Sequence, residues 1–263
     1  MIYYYLKDKP QGSVEVEIYN DKGELFKTYK QKADAGLNMF NWDMRDEGAE
    51  GFEGLIMWAA SVRGPGPLAP SGEYKAVMKV GEETLETTFN LIKDPRYPST
   101  DADIQAQYDF LIKVRDKVTE THRAIKDIRE VREQMMNLKE KIKGDERYEE
   151  VIAAGDTLMK RMTTVEEALY QTKNRSGQDP LNFPIRLNNK LAALLGVAGG
   201  GEWAPTKQSE VVRVELTEQI DAQLAILADL MENELPAFNA LVKQKSVDAI
   251  MLKKKEEEST ETS

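Results

Sequence analysis

The sequence predicts an α+β chain of two domains. An antiparallel β-sandwich is expected over residues 1–95, an antiparallel bundle of three long helices and one short helix over 96–250, and a disordered charged tail over 251–263. Three observations carry this. Up to about residue 91 apolar and polar side chains alternate, the period of a half-buried strand. Beyond residue 100 the apolar positions recur every three, four or seven residues, the seam of a packed helix. Between them, Lys93-Asp94-Pro95-Arg96-Tyr97-Pro98-Ser99-Thr100 carries Pro95 and Pro98, and neither a strand nor a helix continues through such a stretch.

The first domain is read from its alternations. Val14, Val16 and Ile18 alternate with Glu15, Glu17 and Tyr19, and Asp21-Lys22-Gly23 turns the chain toward Leu25, Phe26 and Tyr29, which makes a hairpin. A further strand is expected over Asn38-Met39-Phe40-Asn41-Trp42-Asp43. Tyr74, Ala76, Met78 and Val80 form another, the turn Gly81-Glu82 follows, and Leu85, Thr87, Phe89 and Leu91 close the set. Short strands at this spacing imply a sandwich with one face of each sheet buried. Between Met44 and Ser71 the density of Gly and Pro predicts a loop lying across the sandwich, anchored by Phe52 and Trp58.

The helical half begins at a cap on Thr100 or Asp101. Ile104, Tyr108, Leu111, Val114, Val118, Ile125, Ile128, Val131, Met135, Leu138 and Ile142 mark one face of a helix about 60 Å long. Gly144-Asp145 ends it, and Tyr148, Val151, Leu158, Met162, Val165 and Leu169 mark an antiparallel second helix. A polar segment, Asn174 to Asn189, runs into a short apolar helix with Leu191, Leu194 and Leu195. Gly199-Gly200-Gly201 and Pro205 then turn into a last helix with Leu216, Ile220, Leu227, Leu230, Leu235 and Phe238 on its seam and a kink at Pro236.

Composition excludes several function classes. The 263 residues hold 46 acidic and 36 basic side chains, a net charge of −10, with 11 basic and 16 acidic groups in residues 1–95. The acidic excess is spread over both halves, so no basic nucleic-acid platform is expected. No apolar run reaches the ~18 residues of a membrane span, and Met1-Ile2-Tyr3-Tyr4-Tyr5-Leu6 lacks the flanks of a signal peptide. The absence of cysteine rules out disulfides, zinc–thiolate sites and thiol nucleophiles without deciding the compartment.

Two stretches resemble known families. Gly36-Leu37-Asn38-Met39-Phe40-Asn41-Trp42-Asp43-Met44-Arg45, followed by Pro70-Ser71-Gly72-Glu73-Tyr74, resembles the pattern of Ig-like domains of the flagellar hook-cap type. In that reading Trp42 fills the inter-sheet core and Gly72 permits the turn into the Tyr74 strand. Asp94-Pro95-Arg96 together with Ser176-Gly177-Gln178-Asp179-Pro180-Leu181-Asn182-Phe183-Pro184-Ile185-Arg186-Leu187-Asn188-Asn189-Lys190-Leu191 resembles the C-terminal region of large bacterial proteins built on a sortilin-like β-propeller, often labelled glycosyl-hydrolase-like or BNR-repeat. The resemblance implies a periplasmic or secreted multidomain parent with its propeller on the N-terminal side. This sequence holds no Ser-x-Asp-x-Gly-x-x-Trp repeats and no room for blades of about 40–50 residues. The expectation is an excised C-terminal portion or the product of a split gene.

Candidate chemistry is sparse. His122 lies near the seam of the first helix with no implied nucleophile or metal, so a packing role is expected. Glu149-Glu150 and Glu166-Glu167 read as solvated helix faces, and Asp43 as a strand-end carboxylate paired with Arg45. No phosphate loop, metal-ligand spacing or cofactor motif is present, so no catalytic, cofactor or metal residue is assigned. The candidate binding residues are Asn174, Ser176, Gln178, Asp179, Asn182, Arg186, Asn188 and Asn189 of the polar segment, with Phe52 and Trp58 of the long loop. The segment's polar groups suit a ligand, and they equally suit a non-helical crossover whose backbone needs partners.

Three functions follow. A non-catalytic docking module for a β-propeller, in cis or in trans, would expose apolar patches for its partner to cover. A carbohydrate- or peptide-binding module would use Trp58, Phe52 and Tyr74. Part of a glycoside hydrolase would need Asp43 and a second carboxyl ~5–9.5 Å away. Self-association into a homo-oligomer through the helical seams is left open by the pattern.

Overall fold

A computed structural model of the chain describes residues 1–62 and 64–248. The charged tail over 251–263 and the last residues of the expected bundle lie outside the described residues. Among the described residues, six strands and a helix-rich region make an α+β chain of two compact units. One unit comprises Met1–Glu120 with Asn189–Thr217, the other Thr121–Asn188 with the chain from Glu218. Secondary structure changes character between Leu91 and Asp101. The compact units therefore divide the chain at other places than the change from strand to helix.

In the first unit, β1 (Ile2–Leu6) pairs antiparallel with β4 (Gly36–Phe40), with Tyr3 opposite Met39 and Tyr5 opposite Leu37. The second sheet has the order β3-β2-β5-β6, where β2 is Val14–Tyr19, β3 Leu25–Gln31, β5 Gly72–Val80 and β6 Glu83–Leu91. The two sheets share one core, as in a sandwich. Tyr4, Leu6 and Phe40 point into it from the first sheet, and Val14, Val16, Ile18, Phe26, Tyr74, Ala76 and Met78 from the second. Trp42 fills the space expected of it, with ring centroids 5.0 Å from Tyr74, 5.7 Å from Phe89 and 5.8 Å from Phe26. The strand read over 38–43 stops at Phe40, and Trp42 reaches the core from irregular chain. Leu85, expected inward, is exposed, because β6 is an edge strand and core contact reaches only its Phe89 and Leu91 end.

The 44–71 loop closes on itself. Arg45 and Leu68 form an isolated bridge, Asp46 N donates to Pro67 O at 2.9 Å, and Gly66 N donates to Asp46 O at 2.8 Å. A Cβ on Gly66 would lie 2.1 Å from the Glu47 carbonyl oxygen, so only glycine lets the two limbs cross.

Helix α1 (Asp101–Ile142) starts with a capping box. Thr100 Oγ1 accepts from Asp103 N at 3.1 Å, and the Asp103 carboxylate accepts from Thr100 N at 2.8 Å. Gly144, at φ 81°, and a 3₁₀ turn over Glu146–Tyr148 reverse the chain into α2 (Glu149–Leu169). In the second unit these two helices run antiparallel, as the pairings Arg129–Glu166, Arg132–Thr163 and Lys139–Asp156 require. After the polar segment come α3 (Leu187–Ala198), α4 (Lys207–Asp229) and α5 (Leu235–Gln244). The kink expected at Pro236 is a π-turn over Leu230–Glu234, with Leu235 N donating to Leu230 O five residues back. Proline lacks the N–H that the α-helical carbonyl four residues earlier would accept, so the ladder changes step just before it.

Candidate functional site

The polar segment mostly answers its own backbone. Asp179 Oδ2 accepts from Arg175 N at 2.5 Å and Ser176 N at 2.8 Å, while Oδ1 accepts from Ser176 Oγ at 3.0 Å. Those backbone N–H groups hold the Asp179 carboxyl below its ordinary range, with the Ser176 hydroxyl adding to them. Gln171 Nε2 donates to Pro184 O at 2.8 Å, and Arg175 donates to the carbonyls of Thr172 and Asn174. Asn174 is buried, whereas Ser176, Gln178, Asn182 and Arg186 are exposed. Asn188 is buried beside the buried His122, with Asn188 Nδ2 and His122 Nε2 3.1 Å apart. The lone histidine is therefore a core residue of the second unit.

Asn189 belongs to the first unit and clamps the long loop. Its Oδ1 accepts from Trp58 N at 2.7 Å and its Nδ2 donates to Trp58 O at 2.9 Å, a paired contact that fixes the backbone of a residue that stays 40% exposed. Phe52 is half-buried. Tyr74, expected to join these two at a binding surface, is buried in the sandwich core and donates its hydroxyl to Pro70 O at 2.8 Å. Its place on the inward face of β5 explains the difference, because Tyr74 keeps the period of Ala76 and Met78.

Asp43 does not pair with the Arg45 guanidinium. Its Oδ1 accepts from Tyr29 Oη at 2.6 Å and from the Arg45 backbone N at 3.0 Å, and its Oδ2 lies 3.6 Å from Lys27 Nζ. Partial burial pushes this carboxyl up, but Tyr29, the Arg45 N–H and Lys27 together outweigh burial and hold it below the usual range. It is ionised at neutral pH, the opposite of what a proton-donating glycosidase carboxyl needs. Glu166, read as solvated, is buried between Arg129 Nε at 2.7 Å and Arg132 Nη1 at 2.8 Å. Position 166 lies on the buried seam of α2 with Met162 and Leu169, and two arginines from α1 supply the compensation that a buried carboxylate requires. Among the described residues, no group of three or more His, Asp or Glu could hold a metal ion, and no helix is long and apolar enough to cross a membrane.

Two features were not singled out from the sequence. The outer face of the β1–β4 sheet carries Tyr3 (61% exposed), Tyr5 (69%), Leu37 (74%) and Met39 (47%), with Met1 beside them. The signal was present. Ile2 to Leu6 has no polar residue on either face, and Leu37 and Met39 are apolar at the outward positions of β4. The second feature is a buried network. Asp46 accepts from Tyr108 Oη at 2.8 Å and Arg115 Nη1 lies 3.2 Å from its carboxylate. Burial pushes the Tyr108 hydroxyl up and the Asp46 bond adds to this, so the phenol stays protonated. A cavity of about 310 Å³ opens beside this network, lined by the 44–71 loop, α1, and the chain from Leu195 to Glu202. Residues so far apart in the chain give no local pattern to find.

No family model matches the chain, and neither a curated protein nor a solved structure is significantly similar to it.

Proposed function

We propose that the chain is a non-catalytic docking module of a periplasmic or secreted assembly, and that the outer face of the β1–β4 sheet seats a sortilin-like β-propeller supplied in cis or by another chain. One observation carries this reading. Tyr3, Tyr5, Leu37 and Met39 form a contiguous apolar face on a sheet of only two strands. A strand pair normally turns polar side chains to water on its outer face, and a face that is apolar on both sides suits a covered sheet. Tyrosine supplies large contact area with few rotatable bonds, the property of side chains that dominate interfaces. The propeller and the compartment come from the sequence resemblance.

The test is the molar mass in solution of the chain alone and mixed with a separately expressed sortilin-like propeller from the same genome. A stable one-to-one complex is expected, weakened at least tenfold by the double substitution Tyr3→Ser, Tyr5→Ser. A propeller that ignores the chain, or binds the double variant equally well, overturns the reading. A second reading, stacking of a sugar ring on Trp58, is favoured by the exposure of that residue on a backbone that Asn189 holds still. Glycan-array binding lost in Trp58→Ala would support it.

A further inference from the structure

We propose that the cavity between the 44–71 loop and the chain following Ala198 binds a short apolar peptide as a zwitterion, with Glu202 receiving its ammonium group and Arg45 its carboxylate. This site is independent of the docking face and stands or falls without it.

The space fits such a ligand. The cavity measures about 310 Å³ and a neighbouring one about 200 Å³, and Leu68 and Glu202 line both, so the two meet at that wall. Small-molecule sites begin at roughly 300 Å³. A ligand with two side chains would place one in each compartment, with its charged backbone near Glu202. The larger cavity has mixed walls, with Val62, Leu68 and Leu111 beside Ser61 and Gln107, and the smaller is mainly apolar, with Leu91 and Ile104.

The polar groups select the charge. Glu202 Oε2 is shielded from solvent and has no hydrogen-bond donor among the described residues. A shielded acceptor without a donor is costly, and an ammonium group gives a carboxylate a charge-assisted hydrogen bond roughly twice as strong as a neutral one. A carboxylate turning about its last bond presents either oxygen to the cavity. Arg45 is exposed at the cavity wall, donates from Nη1 to Gly66 O at 3.1 Å, and makes no ion pair among the described residues. Arg115, on the same wall, is already committed to Asp46 and Asp116. An arginine with no ion pair among the described residues and a carboxylate oxygen with no donor, both lining one cavity, suit a zwitterion better than a neutral sugar. A sugar would leave Arg45 without a counter-charge.

The site is also held in shape before any ligand arrives. Its loop limbs are locked by the Asp46–Pro67 and Gly66–Asp46 backbone bonds, and Asp46 is pinned by Tyr108 and Arg115. Binding would cost little ordering of the loop.

Isothermal titration of the full chain with Leu-Leu and with its doubly blocked form, N-acetyl-Leu-Leu-amide, tests the proposal. Leu-Leu should bind and the blocked peptide should bind at least tenfold more weakly, since both charged contacts are removed. Glu202→Gln and Arg45→Gln should each weaken Leu-Leu binding about tenfold with the circular dichroism spectrum unchanged. The free-versus-blocked comparison uses the unsubstituted chain, so it decides the matter even if a variant folds poorly. Absence of heat with Leu-Leu, or equal affinity for the blocked peptide, overturns the proposal. Binding of N-acetylglucosamine in place of Leu-Leu, abolished by Glu202→Gln, would overturn it as well and define a polyol site.

Discussion

Asn189→Ala should release the Trp58 loop while leaving the sandwich folded. The substitution removes two hydrogen bonds to the Trp58 backbone, an acceptor 2.7 Å from its N–H and a donor 2.9 Å from its carbonyl. Each neutral bond contributes about 1 kcal/mol net, and partial exposure at Trp58 lets water replace the lost partners, so the pair sums to about 2 kcal/mol. The effect is local. Alanine also raises helix propensity by up to ~0.7 kcal/mol, which would blur a melting curve. Amide hydrogen exchange at Trp58 isolates the loop from the rest of the chain, because it reports the free energy of opening at that N–H. Protection should fall roughly thirtyfold for a loss of about 2 kcal/mol. Asn189→Asp should not restore the clamp, because it sets a carboxylate oxygen against the Trp58 carbonyl at a position only 4% exposed. If Trp58 exchanges at the same rate in Asn189→Ala as in the unsubstituted chain, the clamp contributes nothing and the reasoning is wrong.

Three further outcomes follow from the packing and the charges. Gly66→Ala should destabilise the chain by at least ~2 kcal/mol in urea unfolding, since the new Cβ would meet the Glu47 carbonyl at 2.1 Å, whereas Gly12→Ala, with nothing within 4 Å, should be close to neutral. Glu166→Ala should cost about 2 kcal/mol by the same assay, because it removes a buried carboxylate while the two arginines it pairs with, 34% and 25% exposed, still reach water. Asp43 has a folded pKa below its unfolded value, so its contribution is present above about pH 4 and lost as pH falls through the folded value. Asp43→Asn should therefore flatten the acid limb of a stability-versus-pH curve while lowering stability at pH 7 by under ~1 kcal/mol, the side chain being 46% exposed.

What the sequence made legible was whatever repeats locally. The alternation of Val14, Val16 and Ile18 and the long seam from Ile104 to Ile142 each report a single element's buried face, and both match the burial found. Trp42 was placed correctly in the core by its motif, although the strand thought to carry it ends two residues earlier. Failures came where a partner from distant chain decides a residue's state. Glu166 looks solvated until α1 brings Arg129 and Arg132 beside it, and Asp43 looks like a partner for Arg45 until Tyr29 and Lys27 arrive from β3. Leu85 keeps the right period but sits at a sheet edge, and edge position is a property of topology. The Asn188-Asn189 pair was recognised as polar material for a crossover. Its adjacent amides serve different masters, His122 in one unit and Trp58 in the other.

The π-turn before Pro236 acts as a change of phase in the last helix. An α-helix advances about 100° per residue, so one extra residue in a turn rotates everything downstream by that angle relative to an unbroken helix. Ile220, Leu227 and Leu230 are buried upstream of the turn, and Phe238 is buried downstream of it, where its ring would lie 3.3 Å from a Cβ on Gly155. Removing one residue from Leu230–Glu234 would turn the chain beyond it by that angle and swing Phe238 out of its place over that glycine, while Pro236 would still interrupt the ladder. The bare backbone at Gly155, the ring that covers it and the surplus residue thus form a matched set, and a change in any one of them alone puts the other two out of step.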